Sequence, residues 1–323
     1  MTPVLTEERA VVNVVAVRQD DPQVAKTPGD RYVSLDAYRG FIMLMLVSHA
    51  FGLNTLRDQP GWHWLAAQFE HVEWEGLVFW DLIQPAFMFM VGMAMPFAFA
   101  NRSAKGESAG QIFRHVAWRA LMLVVISQVL INISSGKLQF QLINVLSQIA
   151  FTYFLTFLIL RLPIRVQAIV ALVLLAGHWA LFALFPGPEG AFSKAGNIGV
   201  RIDQALLGYN YSGSYVTINF VTSTATTLLG AWTALFLIRK KPHVTNLKVI
   251  LLSSAFCFAS GLVLSLFNPI VKRLWTTSFT LYSAGWVFLM LAAFYWLVEV
   301  RGWQKPMFPL LILGMNSIFV YSV

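Results

Sequence analysis

Glu70-His71-Val72-Glu73-Trp74-Glu75-Gly76 runs straight into an apolar segment that begins at Leu77 and holds Asp81 and Pro85. An imidazole among carboxylates is the usual device for taking a proton from an amine or hydroxyl near neutral pH. His71 stands at the mouth of a membrane-length segment, where chemistry across a membrane would be done, although a loop histidine is more often plain surface. Asp81 lies seven residues beyond Trp74, about 10 Å along a helix. An unpaired charge at that depth is costly, so Asp81 requires a partner or a proton. Orienting a histidine, pairing with a cation and satisfying a broken helix are the three options. Asp36 and Arg39, three apart, share a helix face and either pair to anchor that end or serve a site. His49, His63 and His71 are spaced 14 and 8 apart, which matches no compact zinc signature. Met88, Met90, Met93 and Met95 read as flexible packing in a helix bent by Pro85, Gly92 and Pro96 rather than as copper ligands. No metal is expected.

The elements that must position these residues are membrane helices. The chain is 57% hydrophobic and 12% charged, with a mean hydropathy of +0.65; soluble domains are about a quarter charged. Apolar runs of roughly 20 residues recur along the length, and in hydrocarbon such runs must be helices. An all-α, polytopic bundle of about nine spans is therefore expected, at 34–56, 76–100, 111–133, 139–160, 164–185, 216–239, 246–267, 274–298 and 306–323. Residues 1–30, polar and lacking a signal-peptide core, read as a flexible cytoplasmic tail, with one membrane domain over 31–323. With the N-terminus inside, 17 of the 23 Lys and Arg fall on the cytoplasmic side. The net charge of +8 sits at helix ends rather than in a basic stripe interleaved with aromatics, which argues against nucleic acid. Cys257 lies inside an apolar run and reads as a small hydrophobe.

Two outer segments are long for connections, 57–75 and 186–215, the second rich in Gly and small polar residues. Trp62, Trp64 and Trp74 in the first suit stacking on sugar faces and equally an interfacial aromatic belt. The last run stays apolar to Val323, which is expected to mark a chain cut short. No internal repeat is visible, which weakens an inverted-repeat transporter.

Arg31-…-Ser34-Leu35-Asp36-Ala37-Tyr38-Arg39-Gly40 resembles the Ser-x-Asp-x-x-Arg-Gly opening of the heparan-alpha-glucosaminide N-acetyltransferase family of transmembrane acyltransferases. His71-x-x-Trp74-x-Gly76-Leu77-x-x-x-Asp81-Leu82-x-x-Pro85 resembles that family's catalytic histidine loop and following helix. Val145-Leu146-…-Thr152-Tyr153, Lys272-…-Leu274-Trp275-Thr276-…-Ser278 and Gly314-Met315-Asn316-Ser317-…-Tyr321 are similar to later landmarks in the same order. Leu146-Ser147-Gln148 stands where members often carry Leu-Gln-Arg, His49-Ala50 falls near the family's asparagine, and Arg273 replaces the asparagine that often follows the cation.

The resemblance implies transfer of an acetyl group from cytoplasmic acetyl-CoA to an amino sugar or glycan on the far side of a lipid bilayer. His71 would act as general base or transient acetyl carrier, with Asp81 beside it and Asn316 as oxyanion donor. The phosphates of CoA would meet Arg39, Arg114, Arg119 and Lys248, with Asp36 pairing nearby. Glu70, Glu73, Trp74 and His49 are the candidate acceptor contacts. Alternatives are an O-acyltransferase, acetyl or succinyl, acting on a periplasmic glucan or lipid-linked sugar, and a non-catalytic transporter or flippase. The compact chain is expected in a bacterial inner membrane; its oligomeric state is open, a homodimer among the options.

Overall fold

The computed structural model describes residues 32–136, 138, 140–211 and 214–316, with the side chains of residues 49 and 50 excepted. The described residues form an all-helical bundle. Its principal elements are α1 (Val33–Val47), α2 (His63–Ala67), α3 (Ile83–Ala104), α4 (Ala109–Ser135), α5 (Val145–Leu160), α6 (Ile164–Leu184), α7 (Ile198–Leu207), α8 (Phe220–Leu237), α9 (His243–Ser265), α10 (Thr277–Tyr295) and α11 (Phe308–Met315). The expected tail at 1–30 lies outside the described residues.

Among the described residues, six helical stretches are long and apolar enough to cross a membrane, and up to seven if one bent pair counts as a span. Three differences separate this from the nine expected spans. The run at 34–56 breaks into Val33–Val47 and Phe51–Asp58, bent by 49°. The run at 139–160 becomes helical only at Val145, where the Asn144 side chain caps it by accepting from Ser147 N. Its 16 residues cover about 24 Å, short of a typical hydrocarbon core. The run at 306–323 is helical over Phe308–Met315, and its last seven residues lie outside the described part. The segment 186–215, expected as an outer loop, contains α7, which Asn197 caps and Gly208 (φ +76°) terminates.

The helices sort into two layers. Half or more of the apolar windows of α3, α8 and α10 is buried, whereas α4, α6 and α9 bury only 17%, 22% and 22%. The second group thus presents its apolar side chains to lipid. Lipid tails are as apolar as leucine, so close backbone approach must hold the inner helices together. Reciprocal glycines provide it. A Cβ at Gly92 of α3 would strike the Thr227 carbonyl of α8, and one at Gly230 of α8 would strike the Phe89 carbonyl of α3. Gly40 of α1 faces Leu310 of α11 in the same way, and Gly314 faces Asp36. These contacts make α1 and α11 antiparallel neighbours.

Candidate active site

His71 lies in the irregular stretch after α2, eight residues before the short 3-10 turn Phe79–Leu82 that opens α3. The His71 loop is tied down at two points. Gly76 N donates to Ile270 O at 2.8 Å, and Phe79 N and Trp80 N donate to the side chain and backbone oxygens of Gln68. At the 3-10 turn Asp81 points inward, its side chain 1% exposed, and Oδ2 accepts from Val78 N.

Three charged or titratable groups meet here. Asp81 Oδ1 lies 2.6 Å from His71 Nδ1 and 3.2 Å from Lys272 Nζ, and Nζ is 3.4 Å from Nδ1. A carboxylate beside an ammonium can only accept, so the proton of the imidazole sits on Nδ1. Nε2 is left with its lone pair, and the ring, whose side chain is 44% exposed, borders a cavity. The option of Asp81 pairing with a cation and the option of its orienting a histidine are thus realised together.

Lys272 is the member of this group that the linear reading did not place at the site. It reaches Asp81 from 191 residues away, on the tight turn between α9 and α10. The turn is closed by Val271 N donating to Thr276 Oγ1 and Thr276 N donating to Val271 O. Trp275 stands in it at φ +52°, a left-handed conformation that is strained for a bulky residue by about 1–3 kcal/mol. Its backbone is held from both sides: N donates to Lys272 O, and O accepts from Thr222 Oγ1 at 2.6 Å. With a side chain only 7% exposed, Lys272 is held below the usual lysine range by burial, an effect that Asp81 opposes. Two signals pointed to it: the demand of Asp81 for a partner, and the place of the lysine at the head of the Lys272-…-Leu274-Trp275-Thr276 motif.

The cavity beside His71 has a volume of about 300 Å³. Its polar wall carries the amides of Gln84, Gln141, Asn144, Gln148 and Asn219, together with Tyr215 and Thr217. Gln84 and Gln148 are hydrogen-bonded to each other, and Gln148 continues to Ser223 Oγ at 2.9 Å. Arg273 stacks between Trp74 and Tyr215, 5.9 Å and 5.7 Å from their ring centroids. A second cavity of about 90 Å³ is lined by Arg39 and Arg119 together with apolar residues of α3, α4 and α5.

The chain matches the family model described as heparan-alpha-glucosaminide N-acetyltransferase, catalytic, over residues 31–193, half of its length. It belongs to this N-acetyltransferase family. Among curated relatives, the Heparan-alpha-glucosaminide N-acetyltransferase of Homo sapiens is 24% identical, over 90% of this chain and 52% of the human protein. The Mus musculus protein of the same name is 23% identical, over 93% of this chain and 54% of its own. The chain therefore spans about half the length of the curated relatives it matches. The stretch matched by the model of the N-acetyltransferase family includes His71, Asp81, Arg39 and Arg119 and stops short of Lys272.

The remaining expected site residues fall in different places. Glu70 pairs with Arg57 at 3.0 Å, and the side chain of Glu73 is 92% exposed with Lys194 3.9 Å away. Trp74 donates from Nε1 to Phe192 O. None of these three lines the cavity. The His49 side chain lies outside the described part. Asp36 and Arg39 form a 2.7 Å ion pair, and Arg39 Nε also donates to Gly314 O. The Arg119 guanidinium lies 5.1 Å from the Tyr153 ring centroid. Arg114 and Lys248 are exposed and line neither cavity. Asn316 is exposed and donates to Ile312 O. It follows Gly314, which packs on Asp36, whereas Met43, about 10 Å further along α1, borders the His71 cavity. Asn316 and His71 therefore stand at opposite ends of α1. Among the described residues, no three His, Cys, Asp or Glu side chains stand together as a metal site.

Proposed function

We propose that this chain is the catalytic core of a transmembrane acetyltransferase that takes acetyl-CoA from the cytoplasmic side and acetylates an amino sugar on the other. The observation that carries the reading is the His71–Asp81–Lys272 group on an amide-lined cavity, with an arginine-bearing cavity toward the other end of the same helices. The excess of Lys and Arg supports a cytoplasmic Arg39 and Arg119 end, where the phosphates of CoA would stay while its slim arm enters the bundle. The fused amides suit the hydroxyls of a sugar, and a cavity at the small end of the ligand-site range suits one terminal residue rather than a run of the chain.

In the reaction, the acceptor nitrogen attacks the thioester carbon. The C–S bond breaks, an amide C–N bond forms, and the amine proton passes by way of Nε2 of His71 to the departing CoA sulfur. Whether His71 acts as base or as transient acetyl carrier, Nε2 is the reacting atom. Asp81 holds the ring in the required tautomer. Lys272, which faces the same cavity, offers its ammonium to the negative oxygen of the tetrahedral intermediate.

The test is thiol release from acetyl-CoA by purified protein in detergent, with glucosamine as acceptor. Acceptor-dependent release that falls on the order of 10²–10⁴-fold in His71→Ala supports the reading. Turnover retained by that variant, or absence of CoA binding by folded wild-type protein, contradicts it.

A further inference from the structure

One face of α3 runs along both cavities. Gln84 borders the His71 cavity, and Val91, Ala94 and Ala98 border the second. With Phe87 between Gln84 and Val91, these positions recur every three or four residues, so they lie on one stripe of the helix, about 21 Å from Gln84 to Ala98. Phe87 is the residue common to the two linings. The cavities also adjoin on the neighbouring helices: Val145 borders the first and Leu146 the second, and Met43 and Arg39, one turn apart on α1, divide in the same way. Phe87 packs against two hydrophobic clusters, one with Ile83, Ala86 and Met90 and one with Met88, Leu123 and Leu146. Phe87 thus stands where the two cavities adjoin, between the arginine end and His71.

We propose that Phe87 is the residue that selects the acyl donor: its ring separates the donor side from the acceptor cavity and leaves clearance there for a two-carbon acyl group and not for a longer one. The proposal rests on the reading of the second cavity as the donor's route. The wall on that side is apolar and includes the small side chains Ala94 and Ala98, which suits a thin thioester arm. The amide-rich wall begins on the other side of the ring. Two consequences follow from replacing Phe87 with a smaller residue. The space beside His71 lengthens, so a three- or four-carbon acyl group fits. The wet acceptor cavity also opens onto the thioester, so water attacks in place of the amine: the C–S bond breaks, a C–O bond forms, and free carboxylic acid and CoA thiol are released.

The experiment compares wild type with Phe87→Leu, Phe87→Ala and Phe87→Trp, each purified in detergent and shown to be monodisperse, using acetyl-, propionyl- and butyryl-CoA with glucosamine as trial acceptor. An apolar pocket discriminates about 10-fold or more per methylene. The ratio of butyryl to acetyl transfer, read as kcat/KM, should therefore rise at least about 10-fold from wild type through Leu to Ala. Thiol release without acceptor should rise in the same order. Phe87→Trp should lose acetyl transfer while still binding desulfo-CoA. If Ala does not fold, the wild type, Leu and Trp series carries the same test. An unchanged acyl profile in a folded smaller variant that still transfers acetyl overturns the role of Phe87 and leaves the donor route standing. Failure of wild type to bind desulfo-CoA overturns the donor route and the proposal together.

Discussion

Asp81→Asn separates the two jobs that the structure gives this carboxylate. Asp81 is the counter-ion of a buried ammonium, at 3.2 Å from Lys272 Nζ, and the acceptor of the imidazole proton, at 2.6 Å from His71 Nδ1. Removing one member of a buried pair typically costs about 3–5 kcal/mol, because the other charge is left stranded. Here the loss should fall toward the lower figure, since burial already favours the neutral Lys272 amine, which can release its proton. For catalysis the amide is worse than a missing charge. Its NH2 can donate to Nδ1, which moves the ring proton to Nε2 and blocks the reacting atom; transfer should fall on the order of 10²–10⁴-fold. Lys272→Met in the same background removes the stranded charge and keeps the volume of the stem. The double variant should thus regain at least half of the lost stability and none of the lost transfer. The assay is denaturant unfolding in detergent beside acetyl transfer for wild type, Asp81→Asn, Lys272→Met and the double variant. Recovery of transfer in the double variant would refute the tautomer argument and reduce Asp81 to a counter-ion.

Lys272 also predicts a pH effect of definite sign. Its native-state titration lies below the roughly 10.4 of a free lysine, so between the two values the unfolded chain holds the extra proton. Stability from this group rises with pH across that window, while transfer, which uses the ammonium, falls; Lys272→Arg should move the alkaline limb of the rate profile upward. The glycine seams predict that Gly92→Val or Gly230→Val, whose first added carbon meets the facing backbone, costs about 1–3 kcal/mol in unfolding measurements, without changing KM in the folded fraction. Glu70→Gln and Glu73→Gln should leave KM for the acceptor within about twofold, because exposed pairs contribute about 0–1 kcal/mol and neither side chain borders the cavity.

The helices were legible in the sequence because apolar runs of membrane length have few other uses, and the need of Asp81 for a partner was legible because an isolated charge at that depth is costly. That Lys272 would be the cation on Asp81 was not legible, since it arrives from 191 residues away on a turn that requires Trp275 in a left-handed conformation. Propensity argues against that conformation in a tryptophan; the bonds from Thr222 and to Lys272 hold it there. Glu70 and Glu73 illustrate the opposite case. Closeness to His71 in the chain made them candidates, yet their side chains pair with Arg57 and Lys194 at the surface. Arg39 and Arg119 meet at one cavity because α1 and α4 flank α3, whereas Arg114 and Lys248, equally cationic in the sequence, fall on outer faces. Charge alone carries no helix phase that would have separated the two pairs.

The central claim is that an acetyl group crosses the bundle to be transferred at His71. Proteoliposomes of known protein orientation, with radiolabelled acetyl-CoA on the Arg39 side only and glucosamine on the His71 side only, test it most directly. Labelled N-acetylglucosamine should accumulate in the glucosamine compartment with wild-type protein, and His71→Ala should abolish it. Product formed only when donor and acceptor share one compartment, or product undiminished in His71→Ala, would contradict the account.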